Sequence, residues 1–65
     1  MMASVGYDSA RKTLAIEFRT GHVYEYVDVP RRVFLALLDA PSKGRFFHAE
    51  IDGAFSFVQV LRTSR

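Results

Sequence analysis

Leu14, Ile16 and Phe18 alternate with Thr13, Ala15, Glu17 and Arg19, the period of two expected of a β-strand with one buried face. A few residues on, Val23 to Val27 is rich in β-branched and aromatic side chains and reads as a second strand of the same hairpin. The turn between them sets the sheet, because a slip of one residue moves every side chain of a strand to the opposite face. A two-residue Thr20-Gly21 loop pairs Phe18 with Val23 and Ile16 with Glu25, and a carboxylate among core side chains is costly. A three-residue Arg19-Thr20-Gly21 loop suits a type I turn whose last residue is left-handed, a conformation glycine adopts without strain. It pairs Phe18 with His22, Ile16 with Tyr24 and Leu14 with Tyr26. One face then carries Leu14, Ile16, Phe18, Tyr24 and Tyr26, and the other Ala15, Glu17, Val23, Glu25 and Val27. The second register is the expected one, since it separates the carboxylates from the apolar set. Val5 and Tyr7, alternating with Ser4, Gly6 and Asp8, form an earlier strand; a four-residue loop, Ser9 to Lys12, sets Tyr7 beside Leu14 and Val5 beside Ile16.

The core that closes on this hairpin has to be made of side chains alone. A chain of 65 residues has room for one domain, spanning 1–65, and buries only about 60% of the surface its unfolded form exposes. No cysteine is present, which removes both disulfides and thiolate zinc sites as reinforcement. Six Phe and three Tyr take their place; each aromatic ring buries roughly 150–250 Å², so a few supply most of a small core.

Downstream the period changes to that of helices. Pro30 suits a first helical position, where its missing N–H costs nothing. Val33, Phe34, Leu37 and Leu38 follow as one apolar stripe at helical spacing. Pro41 ends this helix, since the residue before a proline disfavours α geometry. Ser42 is then a suitable N-cap for a second helix, Lys43 to Ile51, with Phe46, Phe47 and Ile51 apolar and Gly53 closing it. Phe55 to Leu61 reads as a last strand, and residues 62–65 as a frayed tail. The order β-β-β-α-α-β predicts an α+β domain, a small antiparallel sheet with two short helices packed on one face.

The motifs in this order resemble those of the KTSC domain. They are Val5-Gly6-Tyr7-Asp8; Leu14-x-Ile16-x-Phe18-x-x-Gly21; Tyr24-x-Tyr26-x-x-Val29-Pro30; Ser42-x-Gly44-x-x-Phe47; and Ile51. That family is named for a domain at the C-terminus of some lysyl-tRNA synthetases and also occurs as short stand-alone bacterial proteins. The resemblance implies a small α+β module and, through the synthetase association, RNA as a ligand. The sequence departs from the family pattern at His48, where Asn is usual, and at Asp52, where Arg is usual.

Two residue clusters are candidate contact sites. Tyr24 and Tyr26 share a strand face and would serve as a stacking platform for bases. In the register above, however, they share that face with Leu14, Ile16 and Phe18, so a structural role in the core is expected. The opposite face offers Glu17 and Glu25, which repel phosphate. Ser42, Lys43, Gly44 and Arg45 open the second helix, and Arg31 and Arg32 open the first. Helix-start N–H groups, the helix dipole, a serine hydroxyl and nearby cations together form an anion site. The plain alternative is an N-cap, with Gly44 chosen for close packing and the cations solvated.

Catalysis is not expected. His22 adjoins a turn, His48 faces Asp52 at i, i+4, and no third ligand clusters with them, so neither a metal site nor a cofactor is expected. No nucleophile elbow or glycine-rich phosphate loop is present in the sequence. Met1 to Asp8 lacks the basic start and apolar run of a signal peptide, and no apolar stretch approaches the roughly 20 residues of a membrane span. A soluble, cytoplasmic, non-membrane setting is therefore expected. The net charge of +2 is mild and permits nucleic-acid contact without requiring it. Two functional classes fit: a module contacting RNA or another polyanion through the helix-start cations, and a protein-interaction or homodimerisation module.

Overall fold

In the computed structural model, which describes residues 2–60, the hairpin turns where the carboxylate argument places it. Strand β2 (Thr13–Phe18) pairs antiparallel with β3 (Val23–Tyr26), with Leu14 opposite Tyr26 and Ile16 opposite Tyr24. The Phe18 N–H donates to the His22 carbonyl at 2.9 Å, and the Gly21 N–H donates to the Phe18 carbonyl at 2.8 Å. Gly21 has φ of +94°, the left-handed geometry that the three-residue loop requires. Strand β1 (Met2–Asp8) pairs with β2 in the expected register, Tyr7 with Leu14 and Val5 with Ile16, with an irregularity between Met2 and Ser4. The last strand, β4 (Phe57–Val60), runs antiparallel to β3 with Phe57 opposite Tyr26, giving the sheet order β1-β2-β3-β4. The expected tail and Leu61 lie outside the described residues.

Between β3 and β4 come helix α1 (Arg31–Asp39) and helix α2 (Lys43–Phe46), which runs directly into a π-helical turn, Phe47–Ile51. Leu14, Ile16 and Tyr26 from the sheet meet Val29, Leu37, Phe47 and Ile51 in one buried cluster, so the helices cover a single sheet face. Val29 is pinned there at both ends: its N–H donates to the Lys12 carbonyl at 2.9 Å, and its carbonyl accepts the Tyr7 hydroxyl at 2.6 Å. Tyr7 also stacks on Phe34 of α1, with ring centroids 5.2 Å apart.

Three local expectations are adjusted. Pro30 is the residue before the helix rather than its first member; its ψ of 147° is extended, and its carbonyl accepts the Val33 N–H at 3.0 Å. The second helix spans the expected residues, but its last five widen to π geometry, closed by the Asp52 N–H donating to the Phe47 carbonyl at 2.8 Å. Leu38 does not join the buried stripe. At about 100° per residue it lies a quarter-turn from the fully buried Leu37, at the rim of the helix–sheet contact, and 44% of it is exposed.

The two neighbouring leucines therefore separate by burial. Leu37→Ala should cost about 2–5 kcal/mol, as for other buried leucines, and leave a domain this small largely unfolded in a urea melt. Leu38→Ala should shift the midpoint far less.

Candidate functional site

The Ser42 side chain caps α2, accepting the Arg45 N–H at 3.3 Å. Lys43 and Arg45 project from that first turn, and both are exposed. Gly44 is not there for close packing: a Cβ at this position would meet nothing within 4 Å. Arg31 and Arg32 are exposed at the start of α1. The nine residues of α1 span about 13 Å at 1.5 Å each, and only residues 40–42 connect its end to the start of α2. The start of α2 thus adjoins the far end of α1, and the four cations fall into two separate pairs. A shallow hollow of about 370 Å³ lies beside the α2 pair, lined by Ala40, Pro41, Ser42, Arg45, Phe46, Ala49 and Glu50. Glu50 places a carboxylate in the same hollow as Arg45.

A second hollow was not anticipated from the sequence. It is an open cleft of about 380 Å³ between the exposed end of the core face and the π-helical turn, lined by Phe18, Tyr24, Tyr26, Phe47 and Phe57 with Arg19, Thr20, His22 and Asp52. The five rings touch in a closed circuit. Centroid separations are 5.6 Å for Phe18–Tyr24, 5.2 Å for Tyr24–Phe57, 5.3 Å for Phe57–Tyr26, 5.8 Å for Tyr26–Phe47 and 5.8 Å for Phe47–Phe18. Tyr26 is both core and lining. Only 4% of it is exposed, yet its hydroxyl has no hydrogen-bond partner among the described residues and is not sealed in. Burial raises its pKa above the ordinary tyrosine value near 10, with the Asp52 carboxylate and then Tyr24 adding to the rise.

Both histidines lie on the surface. His22 Nδ1 is 2.9 Å from Gln59 Nε2 across the sheet end, and His48 Nδ1 is 3.4 Å from Asp52 Oδ2 at the expected i, i+4 spacing. Glu17 and Glu25 fall on the sheet face away from the helices, in the register expected.

The family model of the KTSC domain matches residues 1–55. The chain belongs to the KTSC family. A KTSC domain protein from Yersinia pestis shares the architecture with a TM-score of 0.88 and 39% identity, over 91% of this chain and 83% of that one. The lysine–tRNA ligase of Trichormus variabilis is 48% identical over 54 residues, 83% of this chain but 10% of the ligase. An uncharacterized protein from Stutzerimonas stutzeri is 45% identical over 47 residues, 72% of this chain and 66% of that protein. The chain thus spans about a tenth of the ligases it matches. The KTSC match stops before β4, so Phe57, one of the five rings of the cleft, comes from outside the matched segment. No helix among the described residues is long and apolar enough to cross a membrane.

The raised Tyr26 pKa has a definite stability signature. Between the ordinary tyrosine value and the raised folded one, the unfolded chain has lost a proton that the native state keeps. Stability is therefore intact below that window and falls as pH rises through it. Thermal melts taken from pH 9 upward should show a steeper loss for the wild type than for Tyr26→Phe.

Proposed function

We propose that this domain is a non-catalytic binding module whose ligand is RNA, met through the cations at the two helix starts. The observation that carries this reading is the state of those cations. Arg31, Arg32, Lys43 and Arg45 are all exposed, and none forms an ion pair with a described residue. Neither helix has an acidic residue in its first turn. The first N–H groups of a helix have no intrahelical acceptor, and the dipole favours an anion there. The α2 pair is the stronger contact point, because Ser42 already fixes the backbone of that turn. Kinship with a segment of lysine–tRNA ligases, enzymes named for a tRNA substrate, makes RNA the polyanion of choice. Glu17 and Glu25 direct phosphate away from the open sheet face. Two separated cation pairs suit a backbone that tracks across the helical side.

Titration with tRNA and with a generic RNA, followed by NMR shift mapping, tests the reading. Shifts should concentrate at Arg31, Arg32 and Ser42 to Arg45, and the affinity should fall steeply with salt. Lys43→Glu combined with Arg45→Glu should abolish binding; an unchanged affinity would refute the proposal.

A second reading, self-association or a protein partner, is favoured by one specific feature. Strand β4 lies at a sheet edge, and Phe57 and Val58 on it are 51% and 56% exposed. An edge strand with no charged residue and exposed apolar side chains is open to pairing with another chain. In that case the melting temperature should rise with protein concentration, and a charge at Val58 should remove the dependence. A concentration-independent melt would leave the RNA reading alone.

A further inference from the structure

The closed circuit of Phe18, Tyr24, Phe57, Tyr26 and Phe47 has a size and shape that select among ligands. The five rings, linked at 5.2–5.8 Å, line one open cleft of about 380 Å³, so a small cation seated there can come within the roughly 6 Å over which it is attracted to a ring face. Neighbouring rings meet at angles from 40° to 87°, so their faces turn in several directions. A flat base stacks between near-parallel faces. A compact, rounded head group can meet several inclined faces together.

The polar groups of the cleft fit the same ligand. Asp52 brings a carboxylate to it. Tyr26, only 4% exposed, lines it too, and its hydroxyl has no hydrogen-bond partner among the described residues. Arg19 lines the rim as well, on an exposed turn residue, and the carboxylate of Asp52 lies 3.4 Å from His48 Nδ1. The ring faces themselves carry negative potential.

We propose that this cleft is an aromatic cage for an organic ammonium group of the trimethylammonium class, with Asp52 as the rim carboxylate. The site is distinct from the helix-start cations and does not depend on them. Trimethylammonium groups occur on free small solutes and on trimethylated lysines of proteins, and the cage recognises the chemistry they share.

The test uses the full chain. Choline and its neutral carbon isostere, 3,3-dimethylbutan-1-ol, are titrated and followed by NMR. Choline should give saturable shifts at Phe18, Tyr24, Phe47 and Phe57, and the isostere should bind about tenfold more weakly, the scale of a partly desolvated cation–π contact. Equal affinities, or no choline shifts, would overturn the proposal. Phe57→Leu, at a half-exposed edge position that should leave the fold intact, should weaken choline several-fold, as should Asp52→Asn. Unchanged affinity in both variants would overturn the proposal. A trimethyl-lysine peptide binding more tightly than choline would place the ligand on a protein, and the reverse would make it a free solute. Displacement of choline by oligouridine, with base-induced shifts at the same rings, would assign the cleft to RNA and end the cage reading.

Discussion

At Gly21 the chain turns with φ of +94°, and the geometry of everything packed above the sheet follows from that residue. The left-handed conformation fixes a three-residue connection, which sets Leu14 against Tyr26 and Ile16 against Tyr24. A shorter loop would send Glu25 to the core face. With the register held, one face of β2 and β3 is apolar enough to receive both helices, and Glu17 and Glu25 remain on the other. No cysteine reinforces the arrangement, so the fold rests on this face and on Val29, Leu37, Phe47 and Ile51 buried against it.

The helices do not cover that face completely. Val29 is held by Tyr7 and Lys12, which draws the start of α1 over β1 and β2. At the end of the face nearest Phe18 and Tyr24 the cleft opens, with Phe47 of the π-helical turn and Asp52 after it among its lining residues. A choice between core packing and a ligand surface for the tyrosines proves too coarse. Tyr26 belongs to the buried cluster and also lines the cleft, and Tyr24 is half-buried beside it. The wider π turn also delivers Asp52 to the rim, since its N–H closes onto Phe47.

Much of the fold was legible because it rests on local rules. Alternation gave the strands, a carboxylate penalty gave the register, prolines and Ser42 bounded the helices, and the i, i+4 rule placed His48 beside Asp52. The errors were of a different kind. Leu38 belongs to an apolar stripe by spacing, but a four-stranded sheet is too small to cover the whole stripe. Gly44 was readable as a packing glycine, yet open space surrounds it. The cations of the two helix starts were visible as residues, whereas their separation into two pairs depends on the length and path of α1.

The sequence by itself determined which strand residues share a face, where each helix ends, and that the core must be aromatic and aliphatic. These are consequences of backbone periodicity and of the cost of burying charge, both of which act over a few residues. Only the tertiary structure decided that Phe57, about 30 residues beyond Tyr26, stands opposite it and completes a circuit of rings with Phe18 and Phe47. Pairing of β4 with β3 across two intervening helices is a long-range choice, made by how the whole apolar surface closes. No local pattern around Phe57 or Asp52 carries that information.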